Sequence, residues 1–223
     1  MASSKQEFKD FMVYLTVRLL KLTENGDFKG RASGFIYQPS GIGIPILITA
    51  GHGLEKKYNF IETFEIIDDQ LMLLNGGTFD IFYDEEGEID YAYSTLPLKK
   101  YGEQEYFALS KYMGYFHSFV KAHKRGRYGF AVRNDYGEFI KTDKGFDLPS
   151  YECSEVDLEL VEQTKHINYF KPIGEFQGHE FYQGASGSPI ANMNGLINSI
   201  LIGGDDEKGL LKGFRLDNIV LEY

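Results

Sequence analysis

Short runs of alternating apolar and polar residues, broken by glycine-rich turns, restrict the folds open to this chain more than any other feature. From Val13 to Leu19, for example, every second residue is apolar, which is the period of a β-strand with one buried face. The 25 glycines, against only 6 prolines, supply the tight turns that many short strands need. Strands do not alternate with long helical segments, so a parallel sheet is disfavoured. We therefore predict an all-β fold.

The predicted strands fall into two series that meet near residues 97–104. This division predicts two β-barrels in one compact body, over residues 12–100 and 101–223. Helical signals are weak: we predict a short turn at Leu54–Tyr58, and Leu216–Tyr223 fits either a short helix or a strand. The first series comprises Met12–Leu22, Arg31–Gln38, Ile44–Thr49, Phe60–Ile67, Leu71–Leu74, Thr78–Tyr83 and Tyr91–Leu96. The second comprises Tyr112–Val120, Tyr128–Val132, Glu138–Lys141, Val156–Val161, Ser188–Ala191, Leu196–Ile202 and Leu210–Phe214.

Net charge, apolar stretches and cysteine content indicate which partners and which cellular compartment to expect for this chain. A net charge of −10 would repel a phosphate backbone, so nucleic-acid binding is disfavoured. The longest apolar stretches, such as Ile44–Ala50, fall far short of the roughly 20 residues of a membrane span. The single cysteine, Cys153, has no partner for an internal disulfide, and the first residues lack the pattern of a secretory signal. We therefore expect a cytoplasmic protein that binds neither nucleic acid nor membrane.

The histidines give no sign of a metal site. His117, His123, His166 and His179 do not show the spacing of a zinc-binding helix, and one cysteine is too few for a zinc knuckle. We expect neither a metal nor another cofactor.

Three segments place a reactive residue beside small residues at the edge of a predicted strand. Ile48–Gly53 ends an apolar strand in a turn that carries His52, and Asp90 opens a strand whose alternate positions are apolar. Gly184–Pro189 holds Ser186 in a tight loop, whose successive N–H groups are suited to binding an oxyanion. Taken alone, the first segment also fits a surface histidine with satisfied hydrogen bonds, and the third fits a simple turn. Asp90 alone is weak evidence, because the chain has 33 acidic residues.

Together, the three segments resemble the trypsin-like (chymotrypsin-fold) serine peptidases. Thr49-Ala-Gly-His52, Asp90-Tyr-Ala92 and Gly184-Ala-Ser-Gly-Ser-Pro189 match that family's motifs in the same order. Ala32–Tyr37 resembles the strand that precedes the histidine in the family, and Asn194–Gly203 resembles the strand that follows the serine. The resemblance implies two six-stranded antiparallel β-barrels with the active site in the cleft between them.

The resemblance also implies a mechanism for an endopeptidase. Ser186 attacks a peptide or protein substrate, His52 accepts the serine proton, and Asp90 orients the imidazole. The N–H groups of Gly184 and Ser186 form the oxyanion hole. Ala185 departs from the family, since the secreted digestive members carry an aspartate there, and the chain lacks their Ile-Val-Gly-Gly start. Two other readings therefore stay open: a protease that is latent until a protein partner activates it, and a catalytically silent module that only binds or senses.

The resemblance further suggests residues of a substrate pocket. Glu180 stands six residues before Ser186, where trypsin has an acidic residue that selects Lys or Arg. An exposed loop glutamate fits the sequence equally well, and His179 is an alternative pocket residue. Ile202, Gly203 and Gly204 are expected to form one wall, along which a substrate backbone pairs.

Overall fold

A computed structural model describes residues 4–22, 28–37, 46–52, 54, 59–67, 70–75, 79–84, 86–95, 119–134, 140–142, 145–147 and 151–219. The predicted turn at Leu54–Tyr58 and strand at Tyr112–Val120 lie for the most part outside these residues.

The chain opens with an α-helix, α1 (Lys5–Leu15), which corrects the predicted strand at Met12–Leu22. A capping box starts the helix: the Ser4 hydroxyl accepts the Glu7 N–H, and the Glu7 carboxylate accepts the Ser4 N–H. Phe8, Met12 and Leu15 follow at helical spacing and are buried. The prediction was wrong because the alternation of the next strand continues backwards into the last turn of α1.

The first series of strands forms one seven-stranded antiparallel sheet, in the order β5-β4-β1-β2-β3-β7-β6. Among the described strands this sheet is an open ladder, so closure into a first barrel stays a prediction. Its strands are β1 (Thr16–Leu22), β2 (Phe28–Tyr37), β3 (Ile46–Thr49), β4 (Asn59–Ile67), β5 (Gln70–Asn75), β6 (Asp80–Tyr83) and β7 (Asp90–Thr95).

The second series closes into a six-stranded barrel, in the order β11-β12-β15-β14-β13-β8, which confirms the all-β prediction for this half. A separate hairpin pairs β9 (Ile140–Thr142) with β10 (Gly145–Asp147). Strands β10 and β12 were not predicted, and Leu216–Asn218 forms a short 3₁₀ turn. The barrel strands are β8 (Arg127–Asn134), β11 (Tyr151–Gln163), β12 (Ile167–Pro172), β13 (Pro189–Asn192), β14 (Ile197–Asp205) and β15 (Leu210–Arg215).

One apolar cluster joins α1 to both halves of the chain. Phe8 of α1 is fully buried in it, together with Phe35 and Ile48 of the sheet and Ile200 and Phe214 of the barrel. Burial of large apolar side chains is the main source of stability in a fold of this kind. The sheet and the barrel are therefore held together by a shared core.

In the part of the chain that the structure describes, the helices are too short or too polar to cross a membrane.

Candidate active site

His52 lies just beyond the end of a fully buried strand. All four residues of β3 are buried, and the chain stays buried through Ala50 and Gly51 before it turns outward. The His52 side chain is 37% exposed, so one side of the imidazole ring is accessible to solvent. The partly exposed imidazole therefore lies directly after the end of a buried strand.

Asp90 begins the neighbouring strand β7 and holds the imidazole. Because β3 and β7 run antiparallel, the end of one strand lies beside the start of the other. Asp90 Oδ2 lies 2.7 Å from His52 Nδ1, and Oδ1 accepts the backbone N–H groups of Gly51 at 2.7 Å and His52 at 2.8 Å. The Asp90 side chain is only 5% exposed, and these three contacts compensate for its burial.

Gly51 allows the close approach of these two strands. A β-carbon there would lie 2.9 Å from the carbonyl oxygens of both Phe82 and Tyr91, and 3.3 Å from Asp90 Oδ1. Any larger residue would push the turn away from the carboxylate. The glycine in Thr49-Ala-Gly-His52 is thus a requirement of the contact between His52 and Asp90.

The carboxylate also sets the protonation of the imidazole. The hydrogen bond to Asp90 raises the pKa of His52 above 6.5, and the negative charge of Asp90 acts in the same direction. Burial of the ring opposes this shift. The site therefore stabilises an imidazolium whose Nδ1–H points at Asp90.

The loop that carries Ser186 packs against strands β2 and β3 of the sheet. Gly187 has a φ of 93°, and a β-carbon there would overlap the Ser33 carbonyl oxygen and the Thr49 hydroxyl. The Ser33 N–H donates to the Ser186 carbonyl oxygen at 2.8 Å. Since Thr49 stands three residues before His52, the barrel loop and the histidine strand meet at this contact.

Most N–H groups of this loop are bound inside the protein. Ala185 donates to the Tyr182 carbonyl, Gly187 to the Leu201 carbonyl and Ser188 to the Ala185 carbonyl, at 3.0, 2.7 and 2.9 Å. Within the described part of the chain, the N–H groups of Gly184 and Ser186 make no hydrogen bond to a carbonyl. Of the five N–H groups from Gly184 to Ser188, these two are therefore the ones without an internal carbonyl acceptor among the described residues.

Solved structures with the same architecture were found by structural comparison. The structure of GrC superposes with a TM-score of 0.56 at 12% identity, over 92% of this chain and 90% of that chain. Kallikrein-related peptidase 10 superposes with a TM-score of 0.52 at 11% identity, again over 92% and 90% of the two chains. This chain has the trypsin-like serine peptidase fold. No protein-family model and no curated protein sequence matches it.

The remaining residues expected in this trypsin-like fold lie on two elements of the barrel half. Glu180 is exposed on the 3₁₀ turn His179–Tyr182, six residues before Ser186. Ile202, Gly203 and Gly204 lie in the second half of β14 and are half-buried. The side chain of His179 lies outside the described part of the structure.

Sequence reasoning missed a contact between the buried Tyr182, four residues before Ser186, and the half-buried Glu155. The Tyr182 hydroxyl donates to a Glu155 carboxylate oxygen at 2.7 Å, and the Tyr182 ring packs against Phe130, Phe176 and Phe181. Burial raises the pKa of Tyr182, as does the bond to Glu155, so the hydroxyl stays protonated. Burial also raises the pKa of Glu155, against the lowering effect of the Tyr182 bond. This pair attaches the turn before Ser186 to β11.

Sequence reasoning also missed Ser33. The Ser33 hydroxyl donates to the Gly184 carbonyl at 2.7 Å, and the Ser33 carbonyl accepts the Thr49 hydroxyl at 2.6 Å. The sequence signal was present in Ala32–Tyr37, the segment that resembles the family's strand before the histidine, but it gave no role for the serine side chain.

Proposed function

We propose that this chain is a serine endopeptidase that cleaves protein substrates through an acyl-enzyme on Ser186. The observation that carries the proposal is the contact of 2.7 Å between His52 Nδ1 and an oxygen of the buried Asp90. In support, the loop that holds Ser186 lies against Thr49, three residues before His52. A buried carboxylate behind an accessible imidazole is the arrangement that prepares a histidine to act as a general base.

The first step forms the acyl-enzyme. Ser186 Oγ attacks the scissile carbonyl carbon while its proton passes to His52 Nε2, and the carbonyl oxygen becomes an oxyanion. His52 then gives this proton to the leaving amine as the peptide C–N bond breaks. Asp90 fixes the Nδ1–H tautomer, which leaves Nε2 free to accept the proton, and it stabilises the imidazolium.

Hydrolysis of the acyl-enzyme repeats the same chemistry with water. His52 removes a proton from the water as its oxygen attacks the ester carbonyl, and the proton returns to Ser186 Oγ as the C–O bond breaks. In both steps the N–H groups of Gly184 and Ser186 are the proposed oxyanion donors. One such donor typically contributes about 2.7 to 4 kcal/mol to the transition state.

The substrate preference follows from the barrel residues. We propose that Glu180 favours Lys or Arg before the scissile bond, through a charge-assisted contact, and that Ile202, Gly203 and Gly204 line the pocket. Peptide-library profiling of wild type and Glu180→Gln tests this assignment. The variant is expected to lose the preference for basic residues, and an unchanged profile would remove Glu180 from the pocket.

Labelling with a fluorophosphonate tests the proposed activity directly, because the probe reacts only with an activated serine. Intact-mass measurement should show one adduct on wild type and none on Ser186→Ala. Ser154→Ala is the matched control, since Ser154 of β11 is also half-buried and should label like wild type.

Labelling also separates the proposal from its two alternatives. A folded wild type that never forms the adduct would indicate a catalytically silent binding module. An adduct that forms only when cell extract is added would indicate a latent protease that needs an activating partner.

A further inference from the structure

Three peptide groups of the serine loop are fixed by hydrogen bonds. The Gly184–Ala185 group is held at both ends: its carbonyl accepts the Ser33 hydroxyl, and its N–H donates to the Tyr182 carbonyl. The Ser186–Gly187 group is also held at both ends, since its carbonyl accepts the Ser33 N–H and its N–H donates to the Leu201 carbonyl. Ser33 therefore holds the carbonyl of each of these groups.

The peptide group between them presents the N–H of Ser186. Its carbonyl, that of Ala185, accepts the N–H of Ser188 at 2.9 Å and also the Ser188 hydroxyl. In a trans peptide the N–H points away from the carbonyl, so the Ser186 N–H is directed to the opposite side. Rotation of either neighbouring peptide would change that direction.

We propose that Ser33 is a positioning residue for the serine loop, whose hydroxyl and N–H together fix the peptide groups on either side of the Ser186 N–H. Its catalytic consequence rests on the proposed peptidase function. Ser33 is itself held in the core: it is 1% exposed, and its carbonyl accepts the hydroxyl of the fully buried Thr49. Thr49 lies on the strand that leads to His52. Ser33 therefore connects the serine loop to the strand of the proposed general base.

Ser33→Ala tests the proposal because it removes the hydroxyl and keeps the backbone bond to Ser186. Ser199→Ala is the matched control: Ser199 is a fully buried serine of β14 that donates to Asn198 and accepts from Asn168. Both variants lose side-chain hydrogen bonds of similar kind, so both should lower the urea midpoint. Only Ser33→Ala should disturb the serine loop.

Amide hydrogen exchange gives a readout that does not depend on activity. The Ala185 N–H is the sharpest reporter, because it belongs to the peptide group whose carbonyl Ser33 holds. We expect its exchange to become about tenfold faster in Ser33→Ala, as for the loss of one hydrogen bond, and to stay unchanged in Ser199→Ala. Ser33→Cys, which keeps the size but donates weakly, should fall between wild type and Ser33→Ala.

The rate of fluorophosphonate labelling then tests the catalytic consequence. We expect it to fall about tenfold in Ser33→Ala and to match wild type in Ser199→Ala. Unchanged exchange at Ala185, or equal acceleration throughout the chain, would overturn the proposal. Faster exchange with an unchanged labelling rate would also overturn it. If wild type is never labelled, the peptidase function fails, whereas exchange at Ala185 still decides whether Ser33 holds the loop.

Discussion

Replacing Asp90 by asparagine probes the contact on which the proposed chemistry depends. Asp90 Oδ1 accepts two backbone N–H groups at 2.7 and 2.8 Å, so the amide oxygen of an asparagine must take that place. The amide NH₂ then faces His52 Nδ1, which is held 2.7 Å away in the wild type. Nδ1 becomes an acceptor, the proton moves to Nε2, and His52 is no longer able to take the proton of Ser186.

The size of the effect follows from the cost of restoring the active tautomer. Keeping the proton on Nδ1 opposite the amide NH₂ loses one charge-assisted hydrogen bond, worth about 1.5 to 3 kcal/mol. It also leaves a buried donor unsatisfied, at about 1 to 3 kcal/mol. Together these raise the barrier by about 2.5 to 6 kcal/mol, which corresponds to a rate reduced by about 10²- to 10⁴-fold.

Labelling of Ser186 by a fluorophosphonate, followed by intact mass, measures this rate. The control is Asp84→Asn, because Asp84 also accepts a backbone N–H, that of Glu88 at 2.7 Å, but outside the site. Asp84→Asn should label at the wild-type rate. An Asp90→Asn protein that remains folded and labels within about tenfold of wild type would refute the tautomer argument.

Four further experiments test the pKa of His52, the turn before it and the shared core. Because the pKa of His52 is raised, labelling should increase with pH around a midpoint above 6.5, and a midpoint at or below 6.5 would contradict the assigned contact with Asp90. Because this pKa is raised on folding, the stability that the His52–Asp90 pair contributes is complete below pH 6.5 and is lost as the pH rises through the folded-state pKa. The difference between the urea midpoints of wild type and His52→Ala, measured across pH, should show this loss. Gly51→Ala should lower the free energy of unfolding by about 1 to 3 kcal/mol and slow labelling, whereas Gly174→Ala, where a β-carbon meets open space, should leave both unchanged. Phe8→Ala should cost about 3 to 5 kcal/mol in urea unfolding, and a loss under about 1 kcal/mol would show that the helix is not part of the core.

Most of the β-structure was predictable because an alternating pattern reports directly on a strand with one buried face. The strands at Tyr128–Val132 and Leu210–Phe214, for example, are confirmed within β8 and β15. The helix was not predicted, since apolar residues at Val13 and Leu15 fit both periods. The capping box at Ser4 and Glu7 was the signal that would have distinguished a helix from a strand here.

The candidate site was predictable only in part, because motifs identify residues whereas contacts depend on tertiary structure. Motif order singled out His52 and Asp90, which lie in hydrogen-bonding contact. The roles of Ser33 and Tyr182 depend on partners that stand 151 and 27 residues away in the chain, and no local pattern reveals them. Closure of the barrel at β8 and β13 is likewise a pairing that strand patterns leave open.

Because α1, the sheet and the barrel share one apolar cluster, we expect that the chain can be cut between the two halves but that neither half folds alone. A fragment ending after Thr95 and a fragment beginning before Phe119 would each expose the apolar face that the other covers. Neither fragment should remain soluble when produced alone, yet the two should reassemble when produced together. Labelling at Ser186 would then report the reassembly of the two fragments, because His52 and Ser186 would belong to different chains.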